Sequence, residues 1–346
     1  MSSEEAPAAK RQKTNIAYAS VVSWRIFPPP NGKPKTFAIG DAVFFRSKSA
    51  KEIGQRGKVV EGIKYASRHE TKRDHVRVQF NAKDNKKEVP KYVSCKRLVP
   101  VFLQEKTTNI ILTSETIPYR HLACSQVQDT DDILEIGCST GEASVILLRY
   151  GRSWVGLDTS VDMIEQCTDR LKSSCDKSKS WKAVKADALS DPKGALKEAK
   201  KFNAQGPSVV FLDIGGNREF KSVLNMTSWV LQSFSNVRLI AIKSRELVAT
   251  TISDSTSTEF QLDPTTGLFA EGMAWFQKQV DANARPALPS HPLKAPLVFS
   301  PKDATKPICR YHNYHQNGCS KDKCPYDHEH CHLCLKPGHI ALNCDG

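Results

Sequence analysis

The stretch LEIGCSTGEAS, residues 134–144, lies where a predicted buried strand meets a predicted amphipathic helix. Gly137 and Gly141 allow the backbone to turn tightly and to approach a ligand closely. The start of the helix that follows offers free N–H groups. The spacing is not that of a dinucleotide fingerprint, because Ser139 and Glu142 occupy the second and third glycine places. The stretch therefore predicts a ligand-binding turn without fixing the ligand.

Strands and amphipathic helices alternate around this turn from about residue 112 onward, which predicts a parallel sheet with crossover helices. Strands are predicted in DILEIG, WVGLD, WKAVKA, SVVFLDI and VRLIAIK. Helices are predicted in GEASVILLRY, VDMIEQCTDRLKSS, PKGALKEAKKF and REFKSVLNMTSWVLQSF. The fold class is therefore α/β, with this domain expected over residues 112–284.

Acidic side chains lie at or near the carboxyl ends of these strands, where open α/β sheets bind ligands. Glu135 precedes the first glycine, and Asp158 ends the second predicted strand. Asp187 ends the third strand and Asp213 the fourth. A carboxylate at Asp158 can accept both hydroxyls of a ribose, and Asp187 is placed to reach an adenine amino group. The four positions indicate a nucleoside-type ligand.

With LEIGCSTG, GLD, KADA and FLDIGG in this order, residues 130–245 resemble the class I S-adenosylmethionine (SAM)-dependent methyltransferases. The resemblance implies a Rossmann-like core that binds SAM. Two features depart from the family: Ser139 stands where glycine is commoner, and no clear closing β-hairpin follows Lys243. An α/β domain without a cofactor is the alternative. The SAM-binding residues that the resemblance implies are Glu135, Gly137, Ser139, Gly141, Asp158, Asp187 and Asp213.

The segment after the fourth predicted strand bears on which atom would be methylated. It has neither the Asn/Asp-Pro-Pro-aromatic stretch of base N6 enzymes nor the nucleophilic Cys beside Pro of cytosine C5 enzymes. Asp213 and Lys243, at adjacent strand ends, could orient and deprotonate a hydroxyl. They resemble half of the Lys-Asp-Lys-Glu set of RNA ribose 2′-O-methyltransferases. Alternatively, Asp213 only contacts the cofactor or caps a helix, and Lys243 is solvated. Asn217 and Arg218 are further candidates to hold substrate.

The first third of the chain is basic and predicts a small β domain. Residues 1–110 contain 23 Lys+Arg and 10 Asp+Glu, whereas residues 111–346 contain 27 of each. Residues 36–101, with β-rich runs around Gly40, Gly54 and Gly57, resemble an SH3-like barrel of the Tudor or KOW kind. A basic domain beside a neutral one predicts a polyanionic partner, most simply RNA. Peptide or protein contact through the barrel stays open. Its aromatic residues Phe44, Phe45, Phe80 and Tyr92 are expected in its core.

Six of the eleven cysteines lie in the last 38 residues, after a Pro-rich segment that predicts a linker over 285–306. In a reducing compartment such a cluster predicts metal binding rather than disulfides. The first set resembles a CCCH zinc finger over 307–329, and the second has the spacing of a CCHC zinc knuckle over 330–346. Each would hold one Zn²⁺ ion. The ligands are Cys309, Cys319, Cys324 and His328 in the first set, and Cys331, Cys334, His339 and Cys344 in the second.

Zinc modules of both kinds commonly bind single-stranded RNA, with bases stacked on exposed aromatic side chains. Tyr311, Tyr314 and Tyr326 are the candidate platforms here. The alternative is zinc with a purely structural role, or contact with a protein.

The termini and the hydropathy pattern predict an intracellular protein. No run approaches the ~18 apolar residues of a membrane-spanning helix, so no membrane partner is expected. The polar tail over 1–14, predicted to be disordered, lacks the apolar core of a signal peptide. Its run PAAKRQK resembles a short nuclear import signal and favours the nucleus over the cytoplasm.

Together these features predict a SAM-dependent methyltransferase that acts on RNA, with the ribose 2′-hydroxyl as the candidate acceptor. Its α/β core would be flanked by the N-terminal barrel and the C-terminal zinc modules. Two alternatives stay open. One is an RNA-binding zinc-finger protein with an inactive methyltransferase domain, and the other is a protein methyltransferase.

Overall fold

A computed structural model describes residues 21–31, 37–46, 54–62, 74–81, 89–102, 107–214, 220–256, 260–283, 289 and 291–344. These residues divide into two compact units, one up to Lys278 and the other from Gln279 onward. The tail predicted to be disordered, with its import-like run, lies outside the described residues, and so do Asn217 and Arg218. Within the described ranges, no helix has both the length and the apolarity needed to cross a membrane.

The elements follow one another as β1 (Val21–Ile26), β2 (Ala42–Phe45), β3 (Gln55–Glu61), β4 (His75–Phe80), β5 (Lys91–Ser94), β6 (Leu98–Pro100), β7 (Thr107–Thr113), α1 (Thr116–Gln126), β8 (Asp132–Ile136), α2 (Glu142–Tyr150), β9 (Ser153–Asp158), α3 (Val161–Ser174), β10 (Ser180–Lys185), α4 (Pro192–Ala199), β11 (Val209–Leu212), α5 (Phe220–Ser233), β12 (Leu239–Lys243), α6 (Arg245–Asp254), β13 (Leu268–Phe269), α7 (Gly272–Asn283) and α8 (Arg310–Tyr314).

The larger unit is built on a sheet of the described strands in the order β10-β9-β8-β11-β12-β7-β1-β13. All neighbours are parallel except β13, which runs antiparallel to β1. Strands β8 and β11 are buried along their whole length, as expected for central parallel strands covered on both faces. The predicted α/β fold class is therefore confirmed, with a Rossmann-like parallel sheet, a small antiparallel sheet and C-terminal Cys/His clusters.

Two strands from the N-terminal part of the chain extend the sheet beyond β12, where no closing hairpin was found in the sequence. β7 pairs with β12, and β1 pairs with β7, both in parallel. Trp24 of β1 is buried and packs against Phe269, Trp275 and Phe276. Because β1 precedes the small β domain and β7 follows it, that domain is inserted between two strands of the main sheet.

The inserted domain is a curled antiparallel sheet in the order β5-β4-β3-β2-β6. In β4 the buried side chains alternate with half-buried ones, so that one face forms the core. Phe80 is buried in this core as expected, and Phe45 is half-buried against it. Phe44 is buried elsewhere than expected, because its ring packs into the core of the main sheet and its helices. The expectation was wrong for Tyr92, which is 50% exposed because it lies on the outward face opposite Arg77. The SH3-like assignment stays a prediction.

Specific contacts fix the inserted domain against α1 and α2. The Arg56 guanidinium donates to the backbone oxygens of Ser125 and Val127, at 2.9 and 2.6 Å. The Gly54 N–H donates to the Tyr150 hydroxyl at 3.1 Å, and the Phe44 and Tyr150 rings meet edge to face. The positions of the inserted domain and of the main sheet are therefore coupled.

The C-terminal unit contains α8, short turns and the two Cys/His sets. The end of the predicted Pro-rich linker packs onto this unit. Arg310 donates to the backbone oxygens of Leu293 and Ala295 at 3.0 and 2.8 Å. The Ile308 N–H donates to the Val298 oxygen at 2.8 Å. The domain boundaries drawn from the sequence stay predictions.

Candidate active site and metal centres

A cavity of about 340 Å³ opens at the carboxyl ends of β8, β9, β11 and β12. This is the edge of a parallel sheet at which α/β proteins bind ligands. Six of the eight residues predicted for catalysis or cofactor binding line it; they are Gly137, Ser139, Asp158, Asp187, Asp213 and Lys243. The other two, Glu135 and Gly141, lie outside its wall.

The turn after β8 depends on glycine at one position above all. Gly137 has φ of 83°, and a Cβ atom there would lie 1.8 Å from the backbone oxygen of Asp213. No side chain fits so close to backbone, so this glycine is needed for the turn to pass over β11. Ser139 also has a positive φ, of 47°, a conformation that is strained for serine. This strain gives a physical reason why glycine is commoner at that place in the family that the segment resembles.

The carboxylate of Asp158 is held at the cavity wall by two backbone groups. The N–H of Ser139 donates to Oδ2 at 2.9 Å, and the N–H of Ser160 donates to Oδ1 at 3.0 Å. Each oxygen keeps lone-pair capacity for a further donor. A ribose with two vicinal hydroxyls is a ligand that could supply both donors. Asp187 also lines the cavity and accepts from the N–H of Leu189 at 3.0 Å.

Glu135 supports the turn from beneath. Its side chain is buried, and its Oε2 accepts from the Ser144 hydroxyl at 2.6 Å and from the Trp154 indole N–H at 2.9 Å. Burial raises the pKa of this carboxyl to about 8, although the hydrogen bonds from Ser144 and Trp154 oppose the rise. Glu135 thus ties β8 to α2 and β9. Sequence reasoning missed both of its partners.

Asp213 and Lys243 form an ion pair at the cavity wall. Lys243 Nζ donates to Asp213 Oδ2 at 2.6 Å, and about a fifth to a quarter of each side chain is exposed. The two meet because β11 and β12 pair in register as far as Leu212 and Ile242. The amine and the carboxylate thus present a hydrogen-bond donor and an acceptor side by side. The pair is therefore suited to hold and orient a hydroxyl, and proton removal by Lys243 would require the ion pair to open.

Two sets of Cys and His side chains converge in the C-terminal unit. Within each set the potential ligand atoms lie within 4.8 Å of one another. Three thiols and one imidazole make a closed tetrahedral donor set, which fits Zn²⁺. The buried Nε2 of His328 has no hydrogen-bond partner among the described residues, as expected for an atom that ligates a metal. The sets are the two predicted ones, Cys309, Cys319, Cys324 and His328, and Cys331, Cys334, His339 and Cys344.

One buried amide, Asn313, joins the two sets. Its Nδ2 donates to the backbone oxygens of Cys309 and His330 at 3.2 and 3.3 Å. Its Oδ1 accepts from the N–H groups of His332 and Ala341, both at 2.9 Å. The amide thus uses its full hydrogen-bonding capacity across both sets. Nothing in the spacing of the ligands indicated this residue.

The three candidate tyrosines differ in their surroundings. Tyr311 and Tyr326 are 37% and 45% exposed and line the same groove. Tyr314 is half-buried, packs against the second Cys/His set and pairs its hydroxyl with His332 Nδ1 at 2.9 Å. Burial raises the pKa of the Tyr314 phenol to about 12. The structure therefore places two of the three tyrosines where a ligand can reach them.

No family model matches the sequence, and no curated protein does. Among solved structures, the chain is similar to an O-methyltransferase from Bacillus cereus in complex with SAH (18% identity, TM-score 0.32, 49% of this chain and 71% of that one). It is similar to NSun6 from Pyrococcus horikoshii with SFG (12%, 0.30, 73% and 70%). It is also similar to a dimethyladenosine transferase from Plasmodium falciparum (18%, 0.25, 33% and 38%).

Proposed function

We propose that this protein is a SAM-dependent methyltransferase that acts on RNA, with a ribose 2′-hydroxyl as the methyl acceptor. The observation that carries the proposal is the single cavity in which the Gly137 turn and Asp158 meet the Asp213–Lys243 pair. Its volume of about 340 Å³ lies within the range of small-molecule sites.

The cofactor would be held by the β8 and β9 side of the cavity. Asp158 would accept the ribose hydroxyls, and Asp187 would accept from the adenine amino group. The turn between Gly137 and Ser139 would allow the cofactor to approach the backbone closely. SAM, when bound, supplies a methyl group on a positively charged sulfur. Glu135 would act indirectly, by supporting this turn.

The acceptor would be held by the β11 and β12 side. Asp213 would accept a hydrogen bond from the substrate hydroxyl, and Lys243 would donate to the same oxygen. Opening of the ion pair around the hydroxyl would let the Asp213 carboxylate take the hydroxyl proton during transfer, or would let Lys243 take it once its own ammonium proton has passed to solvent. Two groups that orient one oxygen toward the cofactor would reduce the entropic part of the activation barrier to methyl transfer.

Other features support RNA as the substrate. The excess of positive charge lies in the first 110 residues, which contain 23 Lys+Arg and 10 Asp+Glu. The two Cys/His sets would each bind one Zn²⁺ ion, in modules of the CCCH and CCHC kinds. Tyr311 and Tyr326 would then offer exposed rings to unstacked bases. The import-like run supports a nuclear location.

The second candidate is an RNA-binding protein whose cavity binds SAM without transferring the methyl group. The closed Asp213–Lys243 ion pair favours it, because neither group is free to act as a base in this arrangement. The third candidate is a protein methyltransferase that is recruited to RNA and whose predicted barrel contacts a peptide.

The test is transfer of radiolabelled methyl from SAM into total cellular RNA, followed by digestion to nucleosides. We expect labelled 2′-O-methyl nucleosides, and their loss in Lys243→Met with SAM affinity retained. Lys193→Met, at an exposed position of α4, is the matched control. A labelled base would contradict the acceptor. Label in protein alone, or none with folded and zinc-loaded protein, would contradict the RNA methyltransferase.

A further inference from the structure

Two buried hydroxyls on the α1 side of the Asp213–Lys243 pair have no hydrogen-bond partner among the described residues. They belong to Tyr119 of α1 and to Thr113 at the end of β7, and both residues are almost completely buried. A buried polar group without a partner costs free energy, so such groups are rare in folded proteins. Two of them beside a candidate active site indicate partners that the site does not supply in its present arrangement.

The register of the main sheet places Thr113 beside the ion pair. Thr113 pairs with Lys243 across β7 and β12. Asp213 continues β11, because its N–H donates to the Ile136 oxygen at 2.8 Å. The residues two positions earlier in β7, β11 and β12 all pack in one core cluster with α1; they are Ile111, Phe211 and Ala241. Since alternate residues of a strand share a face, the Thr113 hydroxyl and the ion pair lie on the side of the sheet that α1 covers.

Tyr119 approaches the ion pair from α1. Its ring meets the Phe211 ring edge to face, with the centroids 5.2 Å apart, and Phe211 lies two residues before Asp213. Burial raises the pKa of the Tyr119 phenol, and the Glu135 and Asp213 carboxyls add to the rise. The hydroxyl therefore keeps its proton and is able to donate it in a hydrogen bond to a carboxylate.

The two hydroxyls match the two charged groups that a substrate would separate. In the structure the pair is closed, with Lys243 Nζ donating to Asp213 Oδ2 at 2.6 Å, and less than a quarter of each side chain is exposed. A charge that loses its partner in such surroundings is costly. The Tyr119 hydroxyl can donate to the Asp213 carboxylate. The Thr113 oxygen can accept from the Lys243 ammonium.

We propose that Tyr119 and Thr113 are positioning residues that hold the ion pair open around the methyl acceptor. In the open arrangement the Tyr119 hydroxyl donates to Asp213, and the Thr113 hydroxyl accepts from Lys243. The inference rests on the proposed function, because it assumes that the pair holds the acceptor. It explains how two opposite charges in contact can admit a third group between them, since each charge exchanges one partner for another.

The first test needs no methyl transfer. Full-length, zinc-loaded parent, Tyr119→Phe, Lys243→Met and the double variant are unfolded in urea and followed by tryptophan fluorescence. Tyr119→Phe alone should leave the urea midpoint unchanged or raise it, because it removes an unpaired buried hydroxyl. In the Lys243→Met background the same change should lower the midpoint by roughly half a molar, because Asp213 then depends on Tyr119 as a donor.

The second test measures methyl transfer from radiolabelled SAM into total cellular RNA. We expect kcat to fall about tenfold in Tyr119→Phe and in Thr113→Val, with SAM affinity retained. Ser228→Ala is the matched control. It removes another buried hydroxyl that has no partner among the described residues, on α5 and outside the cavity lining. Its kcat should equal that of the parent.

The outcomes separate this inference from the proposed function. Additive urea midpoints, or a kcat equal to that of the parent in Tyr119→Phe, would overturn the positioning role and leave the proposed function standing. A loss of SAM affinity that accounts for the whole fall in kcat would overturn it as well, since Tyr119 would then act on the cofactor. Coupled midpoints in a protein that transfers no methyl group would contradict the proposed function alone.

Discussion

The two compact units of this chain are stabilised by different means. The larger unit buries whole apolar strands, such as Val209–Leu212 of β11. The buried positions of the C-terminal unit are largely polar or thiol side chains, among them Cys331, Asn313 and Asp327. Burial of apolar surface can stabilise the first unit by itself. The second lacks such a core in its described part, so its stability should depend on the metal ions proposed for it.

Removal of the metal ions should produce the largest difference between the two units. Incubation with a strong zinc chelator should unfold the C-terminal unit, because the binding of Zn²⁺ supplies ~10 kcal/mol or more of folding free energy to such modules. All five tryptophans, at positions 24, 154, 181, 229 and 275, lie in the larger unit. Limited proteolysis should therefore cleave beyond residue 290 while tryptophan fluorescence stays native.

The control for this experiment is re-addition of zinc, which should restore protection from the protease. Simultaneous loss of the native tryptophan signal would contradict the independence of the two units. Native protection after complete metal removal would contradict the metal dependence of the C-terminal unit.

Removal of the Asp158 carboxylate should affect only the larger unit. Asp158→Ala removes the acceptor for the ribose hydroxyls and frees the N–H groups of Ser139 and Ser160. We expect SAM affinity in titration calorimetry to fall by about a hundredfold or more, as for a lost pair of charge-assisted hydrogen bonds. Asp176→Ala, at an exposed site, should bind SAM normally. SAM affinity equal to that of the parent in Asp158→Ala would remove Asp158 from the site.

The same contrast explains which parts of the molecule the sequence predicted. The two Cys/His sets were predicted completely because four ligands of one metal must follow a narrow spacing. The strands β8, β9, β11 and β12 were predicted because central parallel strands are continuous apolar runs. In contrast, β1 and β7 were missed. They pair with each other across the inserted domain, and no local pattern records a pairing between such distant segments.

Sequence reasoning is limited in the same way for single residues of the site. Asp158, Asp187 and Asp213 could be placed because each lies at or just beyond the end of a predicted strand, and the strand ends meet at one edge of the sheet. Glu135 lies one residue before the end of β8, and its side chain points into the core, where the Ser144 hydroxyl and the Trp154 indole N–H donate to it. Strand position predicts which edge a residue reaches, whereas the direction of a side chain at the end of a buried strand depends on packing.

Loss of the Asn313 amide should weaken the C-terminal unit by a smaller amount. Asn313→Ala leaves the buried N–H groups of His332 and Ala341 and the His330 oxygen without their partner. The Cys309 oxygen still accepts from the backbone N–H of residue 313. Unpaired buried groups cost about 1–3 kcal/mol each, so zinc should be released at least tenfold faster to a colorimetric chelator. Asn317→Ala, with an exposed side chain, is the matched control. If only one of the two ions is released faster, Asn313 does not couple the two sets.

The smallest expected effect tests the buried carboxyl of the larger unit. The pKa of Glu135 is raised from 4.5 to about 8, so between these values the folded state binds more protons than the unfolded state. Its contribution to stability is complete below about pH 4.5 and is lost as pH rises toward 8. The free energy of unfolding should therefore fall by about 1 kcal/mol per pH unit between pH 5.5 and 7.5, and Glu135→Gln should remove that slope.

The measurement is urea unfolding followed by tryptophan fluorescence. It excludes the thiols and imidazoles of the C-terminal unit, because that unit has no tryptophan. Equal slopes in parent and variant would mean that Glu135 is charged in the fold, and that the turn beneath the cavity is more polar than its burial indicates.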